Sequence, residues 1–150
     1  MKVFLDTNVF VEYIFEREQF PSVQRIFQAI TEKQIEGITS HATFYTLAYL
    51  SEQMLKHKGI HRPELTEQTR MIIRSMLQLV RVGNLEHEDM IAGVDDASFS
   101  DIEDSFQHQC AIRNQCDYLI TININDFLNA SEPLISVLTP NNFVESVLNQ

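Results

Sequence analysis

Lys2-Val3-Phe4-Leu5-Asp6-Thr7-Asn8-Val9-Phe10 opens the chain, and its reading decides the architecture. Lys2 to Leu5 is a short apolar run of strand type. Asp6, Thr7 and Asn8 follow as good helix-capping residues, and Val9, Phe10, Tyr13 and Ile14 then recur at helical spacing. The order is strand, polar turn, helix, the opening half of a β-α unit.

The same alternation continues along the sequence. Pro21 suits a first helical position and opens a stretch through Val23, Ile26, Phe27 and Ile30. Gly37-Ile38-Thr39-Ser40 predicts a strand that feeds a helix from Ala42 to Lys56, with Gly59 as its stop. Residues 63–79 repeat the helical pattern, and Leu79-Val80-Arg81-Val82 predicts another strand. Beyond a polar stretch from Asp95 to Ser100, a helix is predicted with Ile102, Phe106 and Cys110 on one face. The strand Tyr118 to Thr121 follows, then a turn from Asn123 to Phe127, a short strand from Pro133 to Leu138 and a terminal helix from Asn141 to Leu148. Repeated β-α units imply an α/β fold with a mainly parallel central sheet and helices on both faces.

A chain of 150 residues has the size of one domain and can bury roughly 70% of the surface it exposes when unfolded. Hydrophobic residues make up 44% and charged residues 21%, which excludes disordered and fibrous classes. No apolar run is long enough for a membrane span, and the first residues carry no signal-peptide pattern, so a cytoplasmic location and no membrane partner are expected. Cys110 and Cys116, six apart in a predicted helix, would point in different directions and are expected as reduced, buried thiols. The net charge of −10 is the reverse of the basic footprint of most nucleic-acid binders. A metal nuclease, however, concentrates carboxylates at its site, where bound cations invert the local field.

Ligands of open parallel sheets bind outside the carboxyl ends of the strands. Asp6 and Thr121 both stand at such ends. Asp101 and Asp104 are three apart at a predicted helix start, which puts two carboxylates on one face, able to share a cation. The competing explanation for these acids is plain capping and helix-dipole compensation. Glu103, two residues from Asp101, should point elsewhere as a solvated charge.

Taken together, Leu5-Asp6-Thr7-Asn8-Val9, Asp101-Ile102-Glu103-Asp104-Ser105 and Tyr118 to Phe127 resemble the three signature stretches of PIN domains, in the family's order and at its separations. The family includes VapC-type toxins and PilT N-terminus-like ribonucleases. The resemblance covers essentially the whole chain, 1–150, as a single PIN-like three-layer α/β/α domain. It implies an endoribonuclease dependent on Mg²⁺ or Mn²⁺, the toxin of a type II toxin-antitoxin pair, with RNA as substrate, an antitoxin protein as partner and a homodimeric assembly. By position, Asp6 and Asp104 would be the main metal-binding and catalytic acids, and Asp101 an added carboxylate. Asn8, Thr121 and Asn123 would support the site, with Asp126 just beyond. One departure stands out: Thr46 occupies the place where the family carries a glutamate. A hydroxyl supplies no negative charge, so the alternative function is a PIN-like domain that binds RNA or a protein without turnover.

Other chemistry finds less support. His57 and His61 have the spacing of a helical zinc pair, but Gly59 lies between them and no third ligand follows, so a structural or solvent role is expected. His108, one turn beyond Asp104, reads as a surface histidine, with a lean toward the acidic site as the alternative. Phe44, Tyr45 and Tyr49 read as core or dimer packing rather than as stacking platforms for bases. There is no Gly-rich phosphate loop and no Gly-x-Ser-x-Gly elbow. A receiver-like domain would want a paired acidic run early in the chain and a lysine after a late strand, and neither is present.

Overall fold

The computed structural model describes residues 1–128 and 135–150. Strands β1 (Lys2–Leu5), β2 (Glu36–Thr39), β3 (Arg81–Val82), β4 (Tyr118–Ile120) and β5 (Ser136–Leu138) form one sheet in the order β3-β2-β1-β4-β5. Every neighbouring pair is parallel, with Phe4 opposite both Ile38 and Leu119. Helices α1 (Thr7–Ile14), α2 (Phe20–Thr31), α3 (His41–His57), α4 (Glu64–Leu79), α5 (His87–Asp95), α6 (Ile102–Arg113) and α7 (Pro140–Phe143, extended by a π turn over Val144–Leu148) supply the crossovers and cover both faces.

The three layers follow from alternation within β1 and β4. Val3, Leu5 and Ile120 point to one face, where they pack with Val9, Phe10, Val23, Ile26, Phe44 and Phe143. Phe4 and Leu119 point to the other, against Phe99, Cys110, Ala111 and Phe127. Central strands buried on both faces therefore read as continuous apolar runs.

Local signals end the elements near where the sequence places them. Gly59, with φ of 82°, follows the end of α3 in the left-handed conformation that glycine adopts at least cost. Residues up to Leu79 remain in α4, so β3 is shorter than the predicted Leu79–Val82. Of the predicted final strand, Pro133 and Leu134 lie outside the described residues, and Ser136–Leu138 pairs with β4.

Three expectations are corrected. Helix α5 has no counterpart in the sequence reading, because Met90, Ile91 and Val94 are exposed and only Gly93 is buried, so no apolar stripe marks it. It is held by close approach rather than by a hydrophobic face. A Cβ at Gly93 would sit 2.7 Å from Phe106 Cδ1, the Ser105 hydroxyl donates to the Gly93 carbonyl at 2.7 Å, and Arg113 donates to both Asp89 carboxylate oxygens at 2.7 and 2.9 Å. Second, the buried face of α6 is Ser105, Gln107, His108, Cys110 and Ala111, while Ile102 is exposed, so the predicted face is rotated. Third, Cys116 lies past the end of α6, although both cysteines are free and buried as expected.

Candidate functional site

The site is built where β1 ends. Asp6 continues the sheet register, its N–H donating to the Ile120 carbonyl, and caps α1 by accepting from the Thr7 N–H at 2.8 Å. Its second carboxylate oxygen accepts from the Thr121 hydroxyl at 2.8 Å and from Asn8 Nδ2 at 3.2 Å. Asn8 is itself fixed, since its Oδ1 accepts from the Ile122 N–H at 3.1 Å. The turn after β4 is thus tied to the turn after β1 through side chains, and Asn123 is placed by its N–H donating to Thr121 Oγ1 at 3.1 Å.

A second group of polar contacts supports Asp6 from the α3 side. Gln107, buried on α6, reaches Asp6 Oδ1 at 3.1 Å, Thr43 Oγ1 at 3.2 Å and Thr7 Oγ1 at 3.3 Å, and its carbonyl oxygen accepts from the Ser40 hydroxyl. Thr39 donates to the Leu5 carbonyl at 2.7 Å and lies 2.9 Å from Thr43 Oγ1. A buried, nearly closed network of this kind fixes the aspartate's rotamer.

In front of Asp6 lies a cavity of about 230 Å³ lined by Asp101, Glu103, Asp104, Asn8, Asn123 and Asp126, with Thr7 and Val11 completing the wall. Asp101 caps α6 by accepting from the Glu103 N–H at 2.9 Å, and Asp104 stands one turn further on. Asp126 arrives on the 3₁₀ turn Ile124–Asp126. Asp6, Asp101 and Asp104 all line this cavity. Thr121 stands behind Asp6 rather than in the wall.

A family model described as PIN domain matches residues 2–125. The chain belongs to the PIN domain family. Ribonuclease VapC1 from Aquifex aeolicus (strain VF5) is 30% identical over 147 residues, which are 96% of this chain and 94% of that protein. The crystal structure of VapBC2 from Rickettsia felis bound to a DNA fragment from their promoter contains a chain that superposes with a TM-score of 0.68 at 16% identity. That match covers 93% of this chain and 98% of the other.

Within this PIN domain the carboxylates repel one another. Burial is the main cause that raises the Asp6 carboxyl above the ordinary range, against the pull of its donors Thr121, Gln107 and Thr7. Asp104 is pushed up to about 7, first by burial and then by the charges of Asp6, Asp101, Asp126 and Glu103. All donors facing the cavity are hard oxygens or amides, the set that suits Mg²⁺ or Mn²⁺. Among the described residues, no three His, Cys, Asp or Glu side chains close into a complete metal-holding group. The donor set therefore fits a cation held by one or two carboxylates and otherwise by water and substrate oxygens, the usual manner of Mg²⁺.

Several expectations about the site change. Glu103, read as pointing elsewhere, lines the cavity. Thr46 is half-buried on α3 and is not in the cavity wall; Thr43, one turn earlier, makes the contacts to Thr7 and Gln107. His108 is buried rather than on the surface, its ring 5.3 Å from that of Phe99 and its Nδ1 without a partner among the described residues, and burial lowers its pKa. Phe44 is core, whereas Tyr45 and Tyr49 are exposed. Gln107 was missed altogether. The available signal was weak: a glutamine one turn after Asp104 on the helix that carries the acids.

Proposed function

We propose that this chain, as a single PIN domain over 1–150, is a metal-dependent endoribonuclease and the toxin of a toxin-antitoxin pair, working in the cytoplasm. The observation that carries the reading is one cavity at the end of β1 walled by Asp6, Asp101, Glu103, Asp104 and Asp126 in a PIN domain fold. Similarity to ribonuclease VapC1 supports the RNA substrate, and the likeness to a chain of a VapBC2 structure is in keeping with a small antitoxin protein as partner. Among the described residues no helix is long and apolar enough to cross a membrane.

In this reading Asp6 and Asp104 hold Mg²⁺ or Mn²⁺, with Asp101 reinforcing them. The bound cation supplies a sharpened water nucleophile and neutralises charge on the phosphodiester. The protein's own contribution is positioning. Thr121, Asn8, Gln107 and the Thr7 N–H donate to Asp6 and keep its carboxylate turned to the cavity. Asn123 and Asp126 close the side nearest the turn after β4. With the ion held by Asp6 and Asp104 and reinforced by Asp101, much of its coordination is left to water and substrate oxygens, and millimolar metal is expected to be needed.

The test is cleavage of a panel of structured and single-stranded RNAs with and without Mn²⁺. Cutting should require metal and vanish in Asp6→Asn, which keeps the shape of the side chain but removes a charge. Metal-independent cutting, or an Asp6→Asn variant that cuts as well as wild type, overturns the mechanism. No cutting by wild type, with a gain in Thr46→Glu, favours the binding-only alternative. The exposed apolar residues Ile91 and Val94 of α5 support a homodimer; a strict monomer by light scattering at micromolar concentration would count against that part.

A further inference from the structure

The chain's few cations are unevenly placed. Eleven lysines and arginines face twenty-one acids, yet Arg62, Arg70 and Arg74 together line one groove of about 440 Å³ between α3 and α4. Thr66 and Thr69 add hydroxyls to its wall, and Glu52 is the acid that lines it. Glu52 pairs with Arg62, and Arg70 pairs with Glu67 at 2.6 Å along α4. The arginine of each pair is largely open to solvent, so these are weak pairs that a phosphate can replace. Arg74 joins no ion pair among the described residues.

Helix α3 starts beside Asp6 and runs on to the groove. Parallel pairing of β1 with β2, Phe4 opposite Ile38, sets Asp6 and Ser40 side by side at the carboxyl edge of the sheet, and Gln107 contacts both. Tyr45 lines a small apolar hollow together with Ser40, Phe106 and Gln107. One turn on stands Tyr49, and the two rings are 75% and 62% exposed. Ala48 and Glu52, on the same helix, form one wall of the arginine groove. The distance along the helix from His41 to Glu52 is about 16 Å. Along α3, then, the Ser40 cap next to Asp6, the two tyrosines and the wall of the arginine groove follow one another.

We infer that this is the track of a single-stranded RNA segment flanking the bond to be cut, an inference that rests on the ribonuclease reading above. Bases stack on Tyr45 and Tyr49, and phosphates lie on Arg62, Arg70 and Arg74. A domain of net charge −10 with an acidic cavity repels a polyanion, so a local cationic strip has to hold it. Stacking on exposed aromatic rings adds affinity without sequence preference.

The experiment is fluorescence anisotropy of a labelled single-stranded RNA with the full chain in EDTA, across a KCl series, for wild type and for Arg70→Gln/Arg74→Gln. Metal-dependent cleavage of the same RNA is measured separately. Each phosphate contact to a single strand contributes about 0.7 to the slope of log affinity against log salt, so removing two arginines should flatten that slope by about 1.4 with the melting temperature unchanged. An unchanged slope in the double variant overturns the track, whether or not RNA is cut. A flattened slope without metal-dependent cleavage leaves the track standing and removes the hydrolytic reading instead. Wild type that binds no RNA at any salt overturns the track, and persistence of metal-dependent cleavage then leaves the hydrolytic reading intact. Loss of polyglutamate binding in the double variant with an unchanged RNA slope overturns it in favour of an acidic protein occupant.

Discussion

Asp104→Asn should make the metal-free protein more stable while ending its activity. The Asp104 carboxyl, ordinarily titrating at 3.8, is pushed up to about 7 by burial and by the charges of Asp6, Asp101, Asp126 and Glu103. Taken at face value, that displacement destabilises the charged form by about 4 kcal/mol. The side chain is only half-buried, so solvent screening reduces the figure to about 1–2 kcal/mol. For a chain of this length the gain corresponds to about 3–6 °C in melting temperature. The pH dependence fixes the cause. An acid with a raised folded pKa binds its proton more tightly when folded, so wild type loses stability as pH rises from about 4 to 7 and has lost all of this contribution above 7. The advantage of the asparagine variant should therefore be small at pH 4, grow to pH 7 and stay level beyond. Thermal melts of both proteins in EDTA from pH 4 to pH 8 measure it, and added millimolar Mn²⁺ should narrow the gap by stabilising wild type more. An asparagine variant no more stable than wild type at pH 7.5, or an advantage independent of pH, would refute the claim that burial and the neighbouring charges raise the Asp104 carboxyl.

Gln107→Leu should cost about 2–3 kcal/mol in urea unfolding, because it leaves Asp6 and the Ser40 hydroxyl short of buried partners; a loss within error would show that water replaces the amide. His108 has its pKa lowered by burial, so the folded protein resists its protonation and stability falls as pH drops below about 6.5. His108→Phe should remove that fall from the difference between the two unfolding curves, and parallel curves would exclude it. Thr46→Glu should tighten Mn²⁺ binding in calorimetry if position 46 serves as the glutamate position that the family resemblance implies; unchanged affinity would place Thr46 outside the site's reach.

The sequence by itself determined what is local in origin. Apolar runs of strand length, helical spacing, caps such as Asp6 and Asp101, and Gly59 act over a few residues, so they were legible without neighbours. Their alternation implied a parallel sheet, a strand end followed by an acid pointed to Asp6, and two acids three apart at a helix start pointed to Asp101 and Asp104. Only the tertiary structure decided what depends on distant partners. Helix α5 is held through Gly93 and an Arg113–Asp89 pair, with no stripe of its own to announce it. Gln107 and His108 are polar residues that sequence reading sends to the surface, yet α6 buries them, one satisfied by Asp6 and Ser40, the other packed on Phe99. Glu103 joins the cavity, and Thr46 stays out of it, which the arrangement of α6 and α3 decides. Periodicity records which face of an element is apolar; which polar groups meet across the fold is set by long-range packing, which no window of sequence contains.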